Sequence, residues 1–320
     1  MIGGILIKLL NEKVLDSKLV LNFWIRRWFR TIPNYFLILI TIFVLNFIFT
    51  EDFSFYGKKL FFLFSQNLFW KHPDFFHEAW SLSVEEWFYL LIPIILFIVI
   101  KVGKISINKA VLFTALGIII SVTLFRYFRH FSYLKYDSLT KDNIVAWDET
   151  VNKQVFARLD SLMYGVVGAY LFIYHKSFWS RYKTHFLILG IALFIAIKIH
   201  SYCSSSFGLY DWVFSFSTNS LATLCLLPYL SGLKTGKGFV FKAMTYISLL
   251  SYSMYLINLT LVQKWILANI DWSVLVKFNG ELFLYLRYSL YWALTIIISI
   301  LIYKYFEVPI MNSRDKVKIK

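Results

Sequence analysis

The chain has 320 residues, 59% hydrophobic, 20% aromatic and only 16% charged, with a mean hydropathy of +0.64. Soluble domains carry roughly a quarter charged residues, so this composition excludes an ordinary soluble protein. A net charge of +15 does not indicate a nucleic-acid binder either, because the Lys and Arg residues fill gaps between apolar blocks instead of lining one face.

Residues 1–10 are apolar but too short to span a bilayer, and 11–18 are polar. They carry no signal-peptide pattern and read as the tail of a membrane hairpin. The apolar blocks that follow approach the ~20 residues that cross a ~30 Å hydrocarbon core. In chain order they predict eight spanning helices, with cores near 34–49, 84–100, 110–125, 159–174, 185–199, 212–230, 244–262 and 283–303. Several are short, which predicts thin or tilted spans. The aromatic stretch 60–70 is too short to span and is expected to be re-entrant or interfacial.

Basic residues recur in alternate loops. Arg26, Arg27 and Arg30 precede the first span, and Lys101, Lys104 and Lys109 follow the second. His175, Lys176, Arg181 and Lys183 follow the fourth, Lys234, Lys237 and Lys242 the sixth, and Lys304 and Arg314 the eighth. The positive-inside rule assigns these loops and both termini to the cytoplasm. The polar stretch 126–154 then becomes an outer loop. The expected fold is an all-α integral membrane protein, a polytopic bundle of about eight transmembrane helices. It forms one domain over 1–311, followed by a basic cytoplasmic tail at 312–320. The two cysteines, Cys203 and Cys225, have no metal-ligand spacing and read as packing residues.

Four constellations combine charge or polarity with a span. Arg27 and Arg30 lie one helical turn apart at a cytoplasmic boundary. Their guanidinium forks suit a phosphate ligand, and they equally suit topology and anionic lipid. Glu85 and Glu86 stand at the head of the second span, about 100° apart on a helix. One can face the bundle as acid, base or partner of a buried Arg. Alternatively, both are interfacial carboxylates at a helix N-terminus. Arg158 and Asp160 open the fourth span and can pair with each other or across helices, while Gly165 and Gly168 permit close helix approach. The hydroxyls and the amide of Ser251-Tyr252-Ser253-Met254-Tyr255-Leu256-Ile257-Asn258 are expected to bond neighbouring helices. His72 and His77 read as solvated loop residues with a possible base role; His130, His175, His185 and His200 read as interfacial. No Ser-His-Asp arrangement, phosphate loop or zinc motif is present.

The run Trp80-Ser81-Leu82-Ser83-Val84-Glu85-Glu86-Trp87-Phe88-Tyr89-Leu90-Leu91-Ile92-Pro93 resembles the signature of the membrane-bound acyltransferase family 3, bacterial O-acyltransferases of cell-surface glycans. Four further segments agree in order: Arg26-Arg27-Trp28-Phe29-Arg30-Thr31-Ile32-Pro33, Ala157-Arg158-Leu159-Asp160-Ser161-Leu162-Met163-Tyr164-Gly165, residues 247–258, and Glu307-Val308-Pro309. The resemblance implies a ten-helix bundle of which this chain lacks the first helix, with residues 1–13 similar to the end of the second. It implies acyl-CoA, chiefly acetyl-CoA, as donor and a hydroxyl of a cell-surface or lipid-linked glycan as acceptor. Arg27 and Arg30 match the donor-engaging motif, Glu85 the signature carboxylate, and Arg158 and Asp160 the later charged pair. No metal is implied. The other implied partner is the lipid bilayer of the inner or plasma membrane; oligomeric state is not legible. The family's usual first-helix His is not in the chain, and Asn258 stands where the late segment often has His. An amide cannot accept a proton at neutral pH. The alternative reading is therefore a catalytically inactive, truncated scaffold or a non-enzymatic glycan-handling protein.

Overall fold

Among the described residues eight long helices organise the chain: α1 (Ser17–Phe49), α2 (Ala79–Gly103), α3 (Ile107–Leu134), α4 (Leu159–Tyr174), α5 (Lys183–Cys203), α6 (Ser215–Leu230), α7 (Phe239–Ile257) and α8 (Gly280–Ile302). The structure is a computed structural model and describes residues 3–5, 7, 17–51, 53–134, 141–204, 208–233 and 236–314. Seven of its helical runs are long and apolar enough to cross a membrane, and the 16-residue α4 is a shorter apolar helix. No strand occurs among the described residues. The chain is thus an all-α, multi-pass membrane protein. Most of the N-terminal segment 1–13, and residues 315–320 of the basic tail, lie outside the described residues.

The chain divides into two compact units. The first contains residues 1–23, 67–72 and 80–234. Its core gathers Val151, Ala157, Trp212, Val213 and Phe216, with Trp147 packed against them. A π-helical turn, Tyr210–Phe214, runs into α6. Small residues let α6 be approached closely. A Cβ on Gly168 of α4 would come 2.6 Å from Leu224 Cδ1, and one on Gly190 of α5 would come 3.0 Å from the Ala222 carbonyl oxygen. Gly165 has open space at its Cβ position, so it plays no part in close packing.

The expected outer loop at 126–154 is mostly helical. The helix α3 continues to Leu134, a short helix follows at Lys141–Trp147, and a π-helical turn occupies Asp148–Asn152. Arg126 does not end the span, because its charge is compensated inside the protein by a carboxylate on α4. Sequence polarity reads such a residue as a boundary; burial with a partner removes the reason to leave the bundle.

The second unit contains residues 24–66, 73–79 and 235–320. The helix α1 runs unbroken through Pro33, so the basic motif is part of the helix and does not merely precede it. An aromatic cluster pins the segment after α1: the Tyr35 ring stacks on Phe76 at 5.6 Å, Phe43 meets Phe75 at 4.7 Å, and Phe61 meets Phe75 at 5.4 Å. The Tyr35 hydroxyl donates to the Phe61 carbonyl at 2.8 Å. The stretch 60–70 is accordingly no span; it starts as a 3-10 turn at Lys58–Leu63. The helix α7 ends at Ile257 in a π-helical run, Asn258–Ile266.

Candidate active site

In the first unit, Asp160 is the centre of a buried polar cluster. Its first-turn position on α4 faces Arg126 of α3, and both side chains are fully buried. Arg126 closes a two-point fork on it, Nη1 to Oδ1 at 3.0 Å and Nη2 to Oδ2 at 2.6 Å. The same guanidinium donates to the Ala157 carbonyl at 2.9 Å and the Ser217 hydroxyl at 3.0 Å, and Ser217 donates to Asp160 Oδ2 at 3.3 Å. Such matched forks are the strong form of the charge-assisted hydrogen bond. The pairing across helices is the one realised; Arg158 does not bridge to Asp160.

Arg158 precedes α4 and turns instead onto aromatic faces, 4.3 Å from the Phe216 ring centre and 6.0 Å from that of Trp80. Burial holds its guanidinium down at about 10; Asp160 pulls the value up and Arg126 pushes it down. It makes no ion pair among the described residues. Arg158 lines a cavity of about 410 Å³ together with Trp147 and Phe216 and a polar set that includes Ser161, His200, Asp211, Asn219 and Thr223. His200 Nε2 lies 3.2 Å from Asp211 Oδ1, and the Gly208 amide donates to Asp211 Oδ2 at 2.9 Å.

Glu85 and Glu86 divide as their 100° separation requires: Glu86 is buried and Glu85 half-buried. The Tyr89 hydroxyl, one turn on, donates to Glu85 Oε2 at 3.0 Å, and the Tyr89 ring packs edge-on against Phe23. Glu85 is not among the residues that line the cavity. The solvated and interfacial readings of two histidines are corrected here. His72 and His130 are 7% and 6% exposed, and His130 packs 5.5 Å from Trp212, which sequence position at a loop or helix end could not reveal.

In the second unit three of the sequence motifs converge. Asn34 directly follows the basic motif on α1, and its Nδ2 donates to Glu307 Oε2 at 2.7 Å. Ser253 of α7 donates to the same oxygen at 2.9 Å. All three side chains are buried. The Tyr252 hydroxyl donates to the Thr31 carbonyl at 2.7 Å. This is the interhelical bonding expected of the late hydroxyl segment. Arg30 is exposed, Arg27 half-buried, and Arg30 acts electrostatically on Glu307.

Glu78 is a polar centre that sequence reasoning passed over. It is 1% exposed. Its Oε1 accepts from the Leu259 and Thr260 amides at 2.8 and 2.9 Å, and its Oε2 from the Thr260 hydroxyl at 2.5 Å. The Tyr255 hydroxyl donates to its carbonyl at 2.8 Å. These bonds fall where the chain changes from α to π winding, which leaves backbone N–H groups in need of an acceptor. Desolvation pushes the carboxyl above its ordinary value, and the accepted hydrogen bonds pull the other way. The available signal was a lone acid immediately ahead of a span.

The helical runs and the buried charge clusters define a multi-pass membrane protein with a polar interior. The chain belongs to acyltransferase family 3: the family model described as an acyltransferase domain matches residues 1–304. No curated protein and no solved structure matches the chain. The protein is therefore a membrane acyltransferase, of the class that transfers groups other than aminoacyl groups.

Proposed function

We propose that this acyltransferase moves an acyl group, chiefly acetyl, from acyl-CoA to a hydroxyl of a cell-surface or lipid-linked glycan. The observation that carries the reading is the polar cavity of the first unit, walled by Arg158, aromatic rings and hydroxyls in a chain otherwise rich in apolar residues. A span pays to expose polar groups to lipid, so a cluster of them facing a cavity favours a polar substrate. A sugar has flat apolar patches and a rim of hydroxyls, which suits aromatic walls between hydrogen-bonding groups.

Arg27 and Arg30 are the donor-engaging residues in this reading. They share a helical face, and their forks match the phosphates of CoA. Glu85 is the acid–base carboxylate. It takes the proton of the acceptor hydroxyl while the oxygen attacks the thioester carbon; the C–S bond breaks, and the thiolate leaves and is protonated. Tyr89 positions Glu85 by its hydrogen bond. Asp160 positions rather than reacts, because both of its oxygens are engaged by Arg126. Arg158 binds substrate. The membrane is the inner or plasma membrane, and the basic loops and both termini face the cytoplasm, as loop charge argues.

The test is transfer of label from acetyl-CoA to lipid-linked or polymeric glycan in membranes containing the protein. Transfer that requires Glu85 and Arg30 at normal protein levels is expected. A protein that is present and folded, yet transfers nothing to any glycan fraction, overturns the proposal.

A further inference from the structure

The cavity in the first unit is lined by one guanidinium, Arg158, and one carboxylate, Asp211. Neither nearby carboxylate pairs with Arg158: Asp211 meets His200 Nε2 at 3.2 Å and accepts from the Gly208 amide at 2.9 Å, and both oxygens of Asp160 are taken by Arg126. Arg158 is left against the rings of Phe216 and Trp80 with no ion pair among the described residues. A desolvated cation without a counter-charge is costly, and ring faces offset only part of that cost.

The α6 wall of the cavity is rich in acceptors. Ser215, Asn219 and Thr223 recur every four residues along one face of α6, and each donates to a backbone carbonyl one turn back: Ser215 to Asp211 at 2.7 Å, Asn219 to Ser215 at 2.8 Å with one of its two N–H groups, Thr223 to Asn219 at 2.9 Å. Their side-chain oxygens are left to accept. Ser161, one turn into α4, lines the same cavity, and its buried hydroxyl has no hydrogen-bond partner among the described residues. The volume of about 410 Å³ falls within the ~300–1,000 Å³ of small-molecule sites.

We infer that this cavity binds a hydroxyl-rich group carrying one oxyanion, an anionic sugar, with Arg158 on the oxyanion and the Ser161–Asn219–Thr223 surface accepting from its hydroxyls. The oxyanion is a phosphate on the sugar or its own carboxylate. Calling this ligand the acceptor rests on the acyl-transfer reading; the binding itself does not. Arg158 then has a different task from Asp160, although the two are neighbours in one motif.

The experiment measures binding without donor. The protein is placed in phosphatidylcholine nanodiscs and titrated calorimetrically with glucose 1-phosphate, glucuronate, glucose, glycerol 3-phosphate and inorganic phosphate. One or both anionic sugars should bind at least ~10-fold more tightly than the other three, and their order tells phosphate from carboxylate. Arg158→Gln should reduce the anionic sugar to the affinity of glucose. Asn219→Leu, on an exposed helix position, should weaken sugar binding several-fold and serves if Arg158→Gln does not fold. Equal binding of inorganic phosphate or glycerol 3-phosphate overturns the inference, as does unchanged affinity in either folded variant. Sugar binding without acyl transfer sinks the proposed function and leaves the pocket standing; transfer without this binding does the reverse.

Discussion

Asp160 and Arg126, 34 positions apart, form a fully buried two-point ion pair between α4 and α3 at 2.6 and 3.0 Å. Removing one member strands the other charge, which typically costs about 3–5 kcal/mol. Asp160→Ala should therefore lower the melting temperature in detergent sharply and reduce the amount of protein in the membrane. The double variant Arg126→Met/Asp160→Leu should recover most of that loss. An Asp160→Ala protein that melts like the parent would exclude a structural pair.

Glu78 makes stability depend on pH with a definite sign. Its folded-state value is raised above 4.5, chiefly by burial. The folded protein therefore holds the proton more tightly than the unfolded chain. That contribution is fully present below the ordinary value of 4.5 and is lost as pH rises through the folded-state value. Glu78→Gln, which keeps an acceptor and removes the titration, should flatten the fall in melting temperature from pH 4.5 upward. Parallel curves for the two proteins would refute the assignment.

Arg30 is exposed on α1 and is proposed to meet the donor. Arg30→Ala should raise the KM for acetyl-CoA about tenfold, the value of one charge-assisted contact (~1.4 kcal/mol), with little change in melting temperature. An unchanged KM in a folded protein would remove it from the donor site.

Glu85 and Tyr89 separate chemistry from positioning. Glu85→Gln should abolish transfer while protein levels hold; loss of the protein itself would make the carboxylate structural. Tyr89→Phe keeps the ring that packs on Phe23 and deletes the 3.0 Å bond to Glu85. It should lower kcat several-fold and move the pH profile, whereas a purely structural Tyr89 would alter neither.

Glycine substitutions test the helix packing of the first unit. A Cβ at Gly190 meets the Ala222 backbone oxygen at 3.0 Å, and backbone cannot swing aside. Gly190→Val should cost about 1–3 kcal/mol, as overpacking does. Gly165→Ala meets nothing and should be neutral or slightly stabilising, since Ala favours helix over Gly by about 0.5–1 kcal/mol. The readout is the melting temperature of each variant.

The spans were legible because hydrocarbon imposes a length and a composition on any helix that crosses it. All eight predicted cores coincide with helices, α4 included, and the short aromatic stretch 60–70 is no span. The motif residues were legible too, because charges and hydroxyls stand out beside apolar runs. Partnerships were not. Arg126 looked like the end of a span, and Glu78 was passed over. Gly190 gave no signal, while Gly165 gave a false one. Arg126, Glu78 and Gly190 were each settled by a residue tens to hundreds of positions away, Asp160, Thr260 or Ala222. By itself the sequence determined that this chain crosses a membrane, roughly where, and to which enzyme family it belongs. Tertiary structure alone decided that Asp160 is occupied by Arg126, leaving Arg158 at a cavity wall with no ion pair among the described residues. Solvation is a property of each residue and its neighbours in the chain; charge compensation is a property of residues brought together by the fold.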